Sequence, residues 1–308
     1  MNGEPPNTGG RATDLVERAV PWLLLALAAA LRLPRLDLRP LHHDEGTNVI
    51  FLLRFLREGA YHYDPSNYHG PLLYFLSVAP ILLFGTSTTM LRAAPALLGT
   101  LMAALAWGLR REIGRAGAVA AGILLATSPC LVYYSRDNIH EIYLVFLTLL
   151  LVVGLVRGLG SPRLGWFVMA GAAAGGLLAT KETACLTFLA LGAGLAGSRR
   201  GGLPAPRRAA LIACVVAAGA VAVILYSDFF TDMGGLRRPI EALRLWGQRG
   251  LRGDGHAKPW WYFLGILRRE EPAILLAAVA GAAVALKHRD RFAGFLALWA
   301  AAMVALYS

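Results

Sequence analysis

Apolar and charged residues alternate along the chain on the scale of whole helices rather than single positions. Uncharged runs occupy 20–31, 70–91, 93–109, 116–135, 142–156, 164–180, 183–197, 209–227, 272–286 and 292–308, with charged breaks between them. A helix that crosses hydrocarbon needs about 20 mostly apolar residues. Several runs are shorter, but arginines at their ends lengthen them by stretching their stems toward the headgroups. No run shows the two-residue alternation of a barrel strand. The pattern therefore predicts an all-α polytopic bundle, with about nine transmembrane helices. Small residues such as Gly171, Gly175 and Gly176 suit close helix approach in lipid. Ala26-Leu27-Ala28 resembles a signal cleavage site, but the many equally apolar runs downstream favour an uncleaved first span.

The pattern changes after the first run. Val49, Ile50, Leu52, Leu53 and Leu56 recur at helical spacing, with Arg54, Arg57 and Glu58 elsewhere on the wheel. This predicts an interfacial helix starting near Asp44, whose carboxylate would cap the free amides, and stopping at Gly59.

Composition turns the helical pattern into a membrane argument. Of the 308 residues, 56% are hydrophobic and 16% charged, with a mean hydropathy of +0.53, against roughly 25% charged in ordinary globular chains. A soluble enzyme, a disordered chain and a coiled coil are excluded. The net charge of +11 fits basic loops that meet anionic lipid and hold orientation. No basic run is interleaved with a soluble aromatic platform, so nucleic acid is not expected as a partner. Cys130, Cys185 and Cys214 lie far apart without CxxC spacing and read as buried free thiols.

Short arginine-rich loops set the expected topology. Arg110, Arg111 and Arg115 mark one, Arg157 and Arg163 a second, Arg199, Arg200, Arg207 and Arg208 a third, and Lys287, Arg289 and Arg291 a fourth. Placing all four in the cytoplasm puts 37–66, 136–141, 181–182 and 228–271 outside. This requires 70–84 to be a juxtamembrane or re-entrant helix, with 93–109 the second true crossing. The 228–271 segment is itself basic, against the rule, although long loops obey it less. The expected organisation is a disordered cytoplasmic N-terminus over 1–17, rich in Gly, Pro and Asn near its start. A transmembrane domain follows over 18–308, with outer loops at about 37–90 and 228–271.

Candidate chemistry concentrates in those outer segments. His42-His43-Asp44-Glu45 sets two imidazoles beside two carboxylates. Taken alone, Asp44 reads as a helix cap as readily as a base. Consecutive residues cannot easily converge on one ion, so a divalent metal stays an option that the run does not itself indicate, and no cofactor is assigned. The stretch 61–71 is dense in aromatic and hydrogen-bonding side chains, including Tyr63, Asp64 and His69. It suits either a headgroup-level aromatic belt or a sugar- or headgroup-binding surface. Asp137 and Glu141 occupy the next outer turn. Glu141 falls at the membrane's edge, where a carboxylate usually faces a cavity. Lys181-Glu182 sits between two apolar runs and is either a self-neutralising pair or a lysine facing an anionic ligand. Arg92 also separates two apolar runs and is a candidate phosphate contact.

Several of these stretches, in this order, resemble the GT-C superfamily of membrane glycosyltransferases. They are Arg32 at the end of the first span, the His-Asp-Glu loop with its amphipathic helix, Pro71-Leu72-Leu73-Tyr74, Arg92-Ala93-Ala94-Pro95 and Ala179-Thr180-Lys181. The resemblance is to the branch of protein O-mannosyltransferases and lipid A aminoarabinose transferases. His43-Asp44-Glu45-Gly46, Tyr63-Asp64-Pro65, His69-Gly70-Pro71 and His256-Ala257-Lys258-Pro259-Trp260 are similar to a prokaryotic branch labelled flippase-activity-associated. The likeness spans about 18–271. Relatives usually carry more spans, so the stop at Ser308 reads as a short C-terminus.

The resemblance implies an inverting sugar transfer from a polyprenyl-phosphate donor, in the cell membrane and on its outer face, to a lipid, glycan or protein acceptor. It maps the general base to Asp44, paired with Glu45, and a second outer carboxylate to Glu141. A departing lipid phosphate needs cations, for which Arg92, Lys181, Arg237 and Arg238 are the candidates, with Arg268 and Arg269 nearby in the chain. His43, Tyr63, Asp64, His69, Asp137, Glu182 and His256 are expected to line the substrate site. Two other readings remain: a non-catalytic glycolipid-binding accessory of polyprenyl-phosphate sugar flipping, and a polytopic transporter. A transporter would bury its charges near the midplane in broken helices, whereas here they gather in loops and at span ends.

Overall fold

Prolines and small residues decide where the apolar runs bend and how closely they pack. The computed structural model describes residues 8–67, 69–197, 204–252, 259 and 261–307, and every regular element among them is helical. Helix α1 (Thr8–Arg32) opens the chain, and α2 (His43–Glu58) follows. Next come α3 (Leu72–Phe84), α4 (Thr88–Leu91), α5 (Ala93–Leu105), α6 (Gly114–Thr127) and α7 (Pro129–Ser135). The middle of the chain forms α8 (His140–Leu159), α9 (Gly165–Leu178), α10 (Ala184–Gly197) and α11 (Arg208–Tyr226). The last four are α12 (Arg238–Arg252), α13 (Tyr262–Glu270), α14 (Pro272–His288) and α15 (Arg291–Tyr307).

The head expected to lack order is helical from Thr8 onward, while residues 1–7 lie outside the described residues. Ala12, Leu15, Glu17 and Arg18 are good helix formers and favour extension of α1 backward from the apolar run. By length and apolarity α8 and α11 can each cross a membrane, and two bent pairs raise the number to four. The other apolar helices, α3, α9, α10, α15 and α5 with the turn after it, are shorter.

The first bent pair is α6–α7, turned by 56°. Pro129 has no N–H to give the Leu125 carbonyl, so that carbonyl is free. Arg32, fully buried at the end of α1, donates to it at 2.7 Å, to the Ala126 carbonyl at 2.6 Å and to Ser135 Oγ at 3.1 Å. The Cys130 N–H released by the same bend goes to Glu271 Oε1 at 2.8 Å, and Ser128 Oγ donates to that oxygen at 2.6 Å. Glu271 sits at the second break, where α13 and α14 meet at 111° in front of Pro272. The two bends are thus joined by one carboxylate.

Backbone contact organises the rest. A methyl on Gly171 or Gly175 of α9 would strike the carbonyls of Cys214 and Ala218 on α11, so those helices touch main chain to main chain. One apolar core runs through α8, α9, α10 and α15 around Val152, Val156, Ala173, Leu177, Leu191 and Phe295. A second joins α2, α3, α5 and α8 through Leu52, Leu73, Tyr74, Met102 and Tyr143. This second core holds the first turn of α2 against the start of α8, where the polar residues gather.

Candidate functional site

Helix α2 separates two adjacent carboxylates because successive residues point about 100° apart around its axis. Its cap is His42, not Asp44. His42 Nδ1 accepts from the Asp44 N–H at 3.3 Å, while Glu45 Oε2 accepts from the His42 N–H at 3.0 Å. That reciprocal cap turns Glu45 inward and leaves the Asp44 side chain 65% exposed. Gly59 ends the helix in the left-handed conformation expected of it.

Glu45 is completely buried. Arg92 donates to it through Nε at 2.8 Å and Nη2 at 2.6 Å, and the Asn138 N–H donates to it at 2.9 Å. Burial alone would raise its pKa; the bonds from Arg92, His42 and Asn138 outweigh it and hold the carboxyl below its ordinary value. Arg92 spends its remaining N–H groups on the carbonyls of Leu36 (2.7 Å), Arg39 (3.0 Å) and Pro40 (3.1 Å). All five guanidinium donors are then in use, and Arg92 has none to offer a phosphate. Asp137 is buried beside this pair, with Arg39 at 2.5 Å. Burial and the neighbouring Glu45 charge push Asp137 upward, against the pull of Arg39.

A second assembly forms on the other side of Asp44. The N–H groups of Gly70 and Leu72 donate to the carbonyls of Thr180 and Ala179, both at 2.9 Å. A side chain at Gly70 would collide with the Ala179 carbonyl, so the strap depends on glycine there. The strap brings two distant pairs together. Lys181 Nζ donates to Glu141 Oε1 at 2.8 Å, and His69 Nδ1 lies 3.0 Å from Glu182 Oε2. Burial alone would lower the Lys181 pKa; Glu141 overrides it and holds the ammonium above its ordinary value.

These pairs bridge two cavities. The first, about 140 Å³, is polar and is lined by Asp44, Thr47, Asn48, Asn67, His69, Ile139, His140 and Glu141. The second, about 360 Å³, is mostly apolar, with Lys181 and Glu182 among Tyr63, Leu178, Cys185, Val223, Tyr226, Leu236 and Leu243. Each pair has its acid or base in one cavity and its partner in the other. Asn48 is held for this position by its bonds to the Asn138 carbonyl (2.9 Å) and the Tyr74 hydroxyl (3.2 Å).

The expected site residues are only partly brought together. Asp44, His69 and Glu141 share the polar cavity, and Tyr63, Lys181 and Glu182 line the apolar one. Glu45, Arg92 and Asp137 form the buried cluster instead. Asp64 accepts from the Ser66 N–H at 2.8 Å and lines neither cavity. Arg238 pairs with Asp232 at 2.6 Å, while Arg237 and His43 are exposed outside both cavities. His256 lies outside the described residues. Sequence reasoning passed over Thr47 and Asn48, and it included Asn67 in the hydrogen-bonding stretch 61–71 and His140 in the second outer turn without singling either out. The only available signal was position: Thr47 and Asn48 follow Asp44 by three and four residues, one helical turn.

A polar cavity with two carboxylates is thus linked through ion pairs to an apolar cavity within a bundle of apolar helices. The model of the dolichyl-phosphate-mannose-protein mannosyltransferase family matches residues 68–227, just over half of the chain. The chain belongs to this family of membrane glycosyltransferases. The matched segment holds Arg92, Glu141, Lys181 and Glu182 and stops short of Asp44. No curated protein matches the chain.

Proposed function

We propose that the protein transfers a sugar from a polyprenyl-phosphate donor to an acceptor hydroxyl at the outer face of the cell membrane. The observation that carries this reading is the pairing of Lys181 with Glu141 across the two cavities. The lipid tail lies in the apolar cavity, the phosphate meets Lys181, and the sugar enters the polar cavity beside Asp44. Glu141 uses one of the three N–H bonds of the ammonium, which leaves donors for a phosphate oxygen.

Asp44 is the general base. It takes the acceptor's hydroxyl proton while that oxygen attacks the anomeric carbon. The bond from the anomeric carbon to the phosphate oxygen breaks, the electron pair leaves with the lipid phosphate, and Lys181 stabilises the charge that develops there. Displacement in line inverts the anomeric configuration. Glu45 and Arg92 do not enter the chemistry; they fix the turn from which Asp44 projects. The arginine-rich short loops at the opposite ends of the apolar runs support an outer position for this end of the bundle.

Reconstitution in liposomes with polyprenyl-phosphate sugars and hydroxyl acceptors tests the reading. Wild-type protein turns over at least one donor, and Asp44→Asn lowers turnover by about 10²–10⁴-fold while leaving donor binding and thermal stability intact. Normal turnover in Asp44→Asn defeats the base assignment. Donor binding without any turnover would favour the glycolipid-binding accessory instead.

A further inference from the structure

Among the side chains that line the polar cavity, one buried nitrogen has no hydrogen-bond partner among the described residues. It is Nε2 of His140, a residue only 3% exposed at the first position of α8. Roughly nine in ten buried polar groups in folded proteins find a partner, so a solitary one at a cavity wall marks a place that a ligand completes.

The ring is held firmly. It lies 4.7 Å from the His69 ring, tilted by 48°, and 6.1 Å edge-on from the Tyr74 ring. Tyr74 is itself fully buried and bonded to Asn48 and Asn67 at 3.2 Å each. The Gly70 carbonyl lies beside the imidazole, and no carboxylate forms an ion pair with it among the described residues. The ring therefore has the Gly70 carbonyl as a backbone partner, while Nε2 has no hydrogen-bond partner among the described residues.

We infer that His140 Nε2 bonds a hydroxyl of the transferred sugar and sets which sugar the site accepts. This rests on the reading of the polar cavity as the sugar's place. Asp44 and Glu141 in the same small cavity repel a phosphate but accept bonds from hydroxyls. A hydroxyl both donates and accepts, so it satisfies Nε2 in either tautomer of a neutral imidazole. A site built to bond a hydroxyl rejects the ligand that lacks it.

Binding in nanodiscs tests the inference with two kinds of probe: bare polyprenyl phosphate, and polyprenyl phosphates carrying one hexose, mannose first. Wild-type protein prefers a sugar-loaded lipid. His140→Phe keeps a ring against His69 and Tyr74 but removes the nitrogen. It weakens the sugar-loaded lipid by about 5–30-fold and leaves the bare phosphate within about twofold. His140→Gln, which returns a polar atom near Nε2, recovers part of the loss. Equal weakening of both probes, or no weakening of either, overturns the role of His140 alone, because wild-type discrimination would still stand. A wild type that binds none of the lipids, or binds the loaded ones no better than the bare one, overturns the proposed function and this inference with it.

Discussion

The two sides of the first turn of α2 carry the same chemistry and use it in opposite ways. On one side Glu45 is sealed with Arg92, and every donor and lone pair of the two groups that can be aimed inward is committed to protein partners. On the other side Asp44 faces a cavity, and among the described residues its carboxylate has one charged neighbour within 4 Å, His42 at 3.7 Å. A carboxylate with saturated partners cannot take a proton from a substrate without breaking them. One with open lone pairs can. Of two adjacent acids, one is framework and the other is available for reaction, and burial together with bond counting tells them apart where residue type does not.

Substitutions on each side should separate stability from activity. The largest effect is expected at Glu45→Gln. It leaves the Arg92 charge buried without its counter-ion and should cost about 3–5 kcal/mol, read as a fall in Tm with loss of all activity. The same pair gives a pH test. The native Glu45 carboxyl titrates below its unfolded value, so its stabilisation is whole above the ordinary carboxylate value of about 4.3. It is lost as pH falls through the lowered native value. A plot of Tm against pH should show that acid-side loss in the wild type and not in Glu45→Gln.

Next in size, Asp44→Asn should lower kcat by about 10²–10⁴-fold and change stability by no more than about 0.5 kcal/mol. A matching fall in Tm would merge the two sides and undo the contrast. Lys181→Met should reduce kcat by about 10²-fold, with a smaller effect on binding of an uncharged lipid analogue. The smallest effect belongs to His43→Ala. Its exposed side chain lines neither cavity, and both Tm and turnover should stay at wild-type values.

The helical architecture was legible in the sequence because lipid imposes a simple rule on run length and charge. The bends were less so. The run 116–135 reads as one span, yet Pro129 divides it into α6 and α7, a division stabilised by two distant residues, Arg32 on the freed carbonyl and Glu271 on the freed amide. The site was legible in its components but not in their assignments. Asp44, Glu141, Lys181 and His69 stand out as charged or polar residues next to apolar runs. Nothing local says that Arg92 belongs to Glu45, 47 positions earlier, or that Glu182 belongs to His69, 113 positions before it. The second pairing depends on the strap between 69–72 and 179–180, which is made of backbone bonds and leaves little trace in side-chain identity beyond Gly70. His140 was hidden for the opposite reason. It stands out only because its Nε2 makes no hydrogen bond among the described residues.

The carboxylate shared by the two helical elbows has a mechanical consequence. If α6 and α7 straightened, the Ser128 hydroxyl and the Cys130 amide would withdraw, and Glu271 would be stranded without donors at the mouth of α14. If the second elbow opened instead, Cys130 would lose its acceptor. Each joint is therefore propped by the other: opening either one costs its neighbour hydrogen bonds.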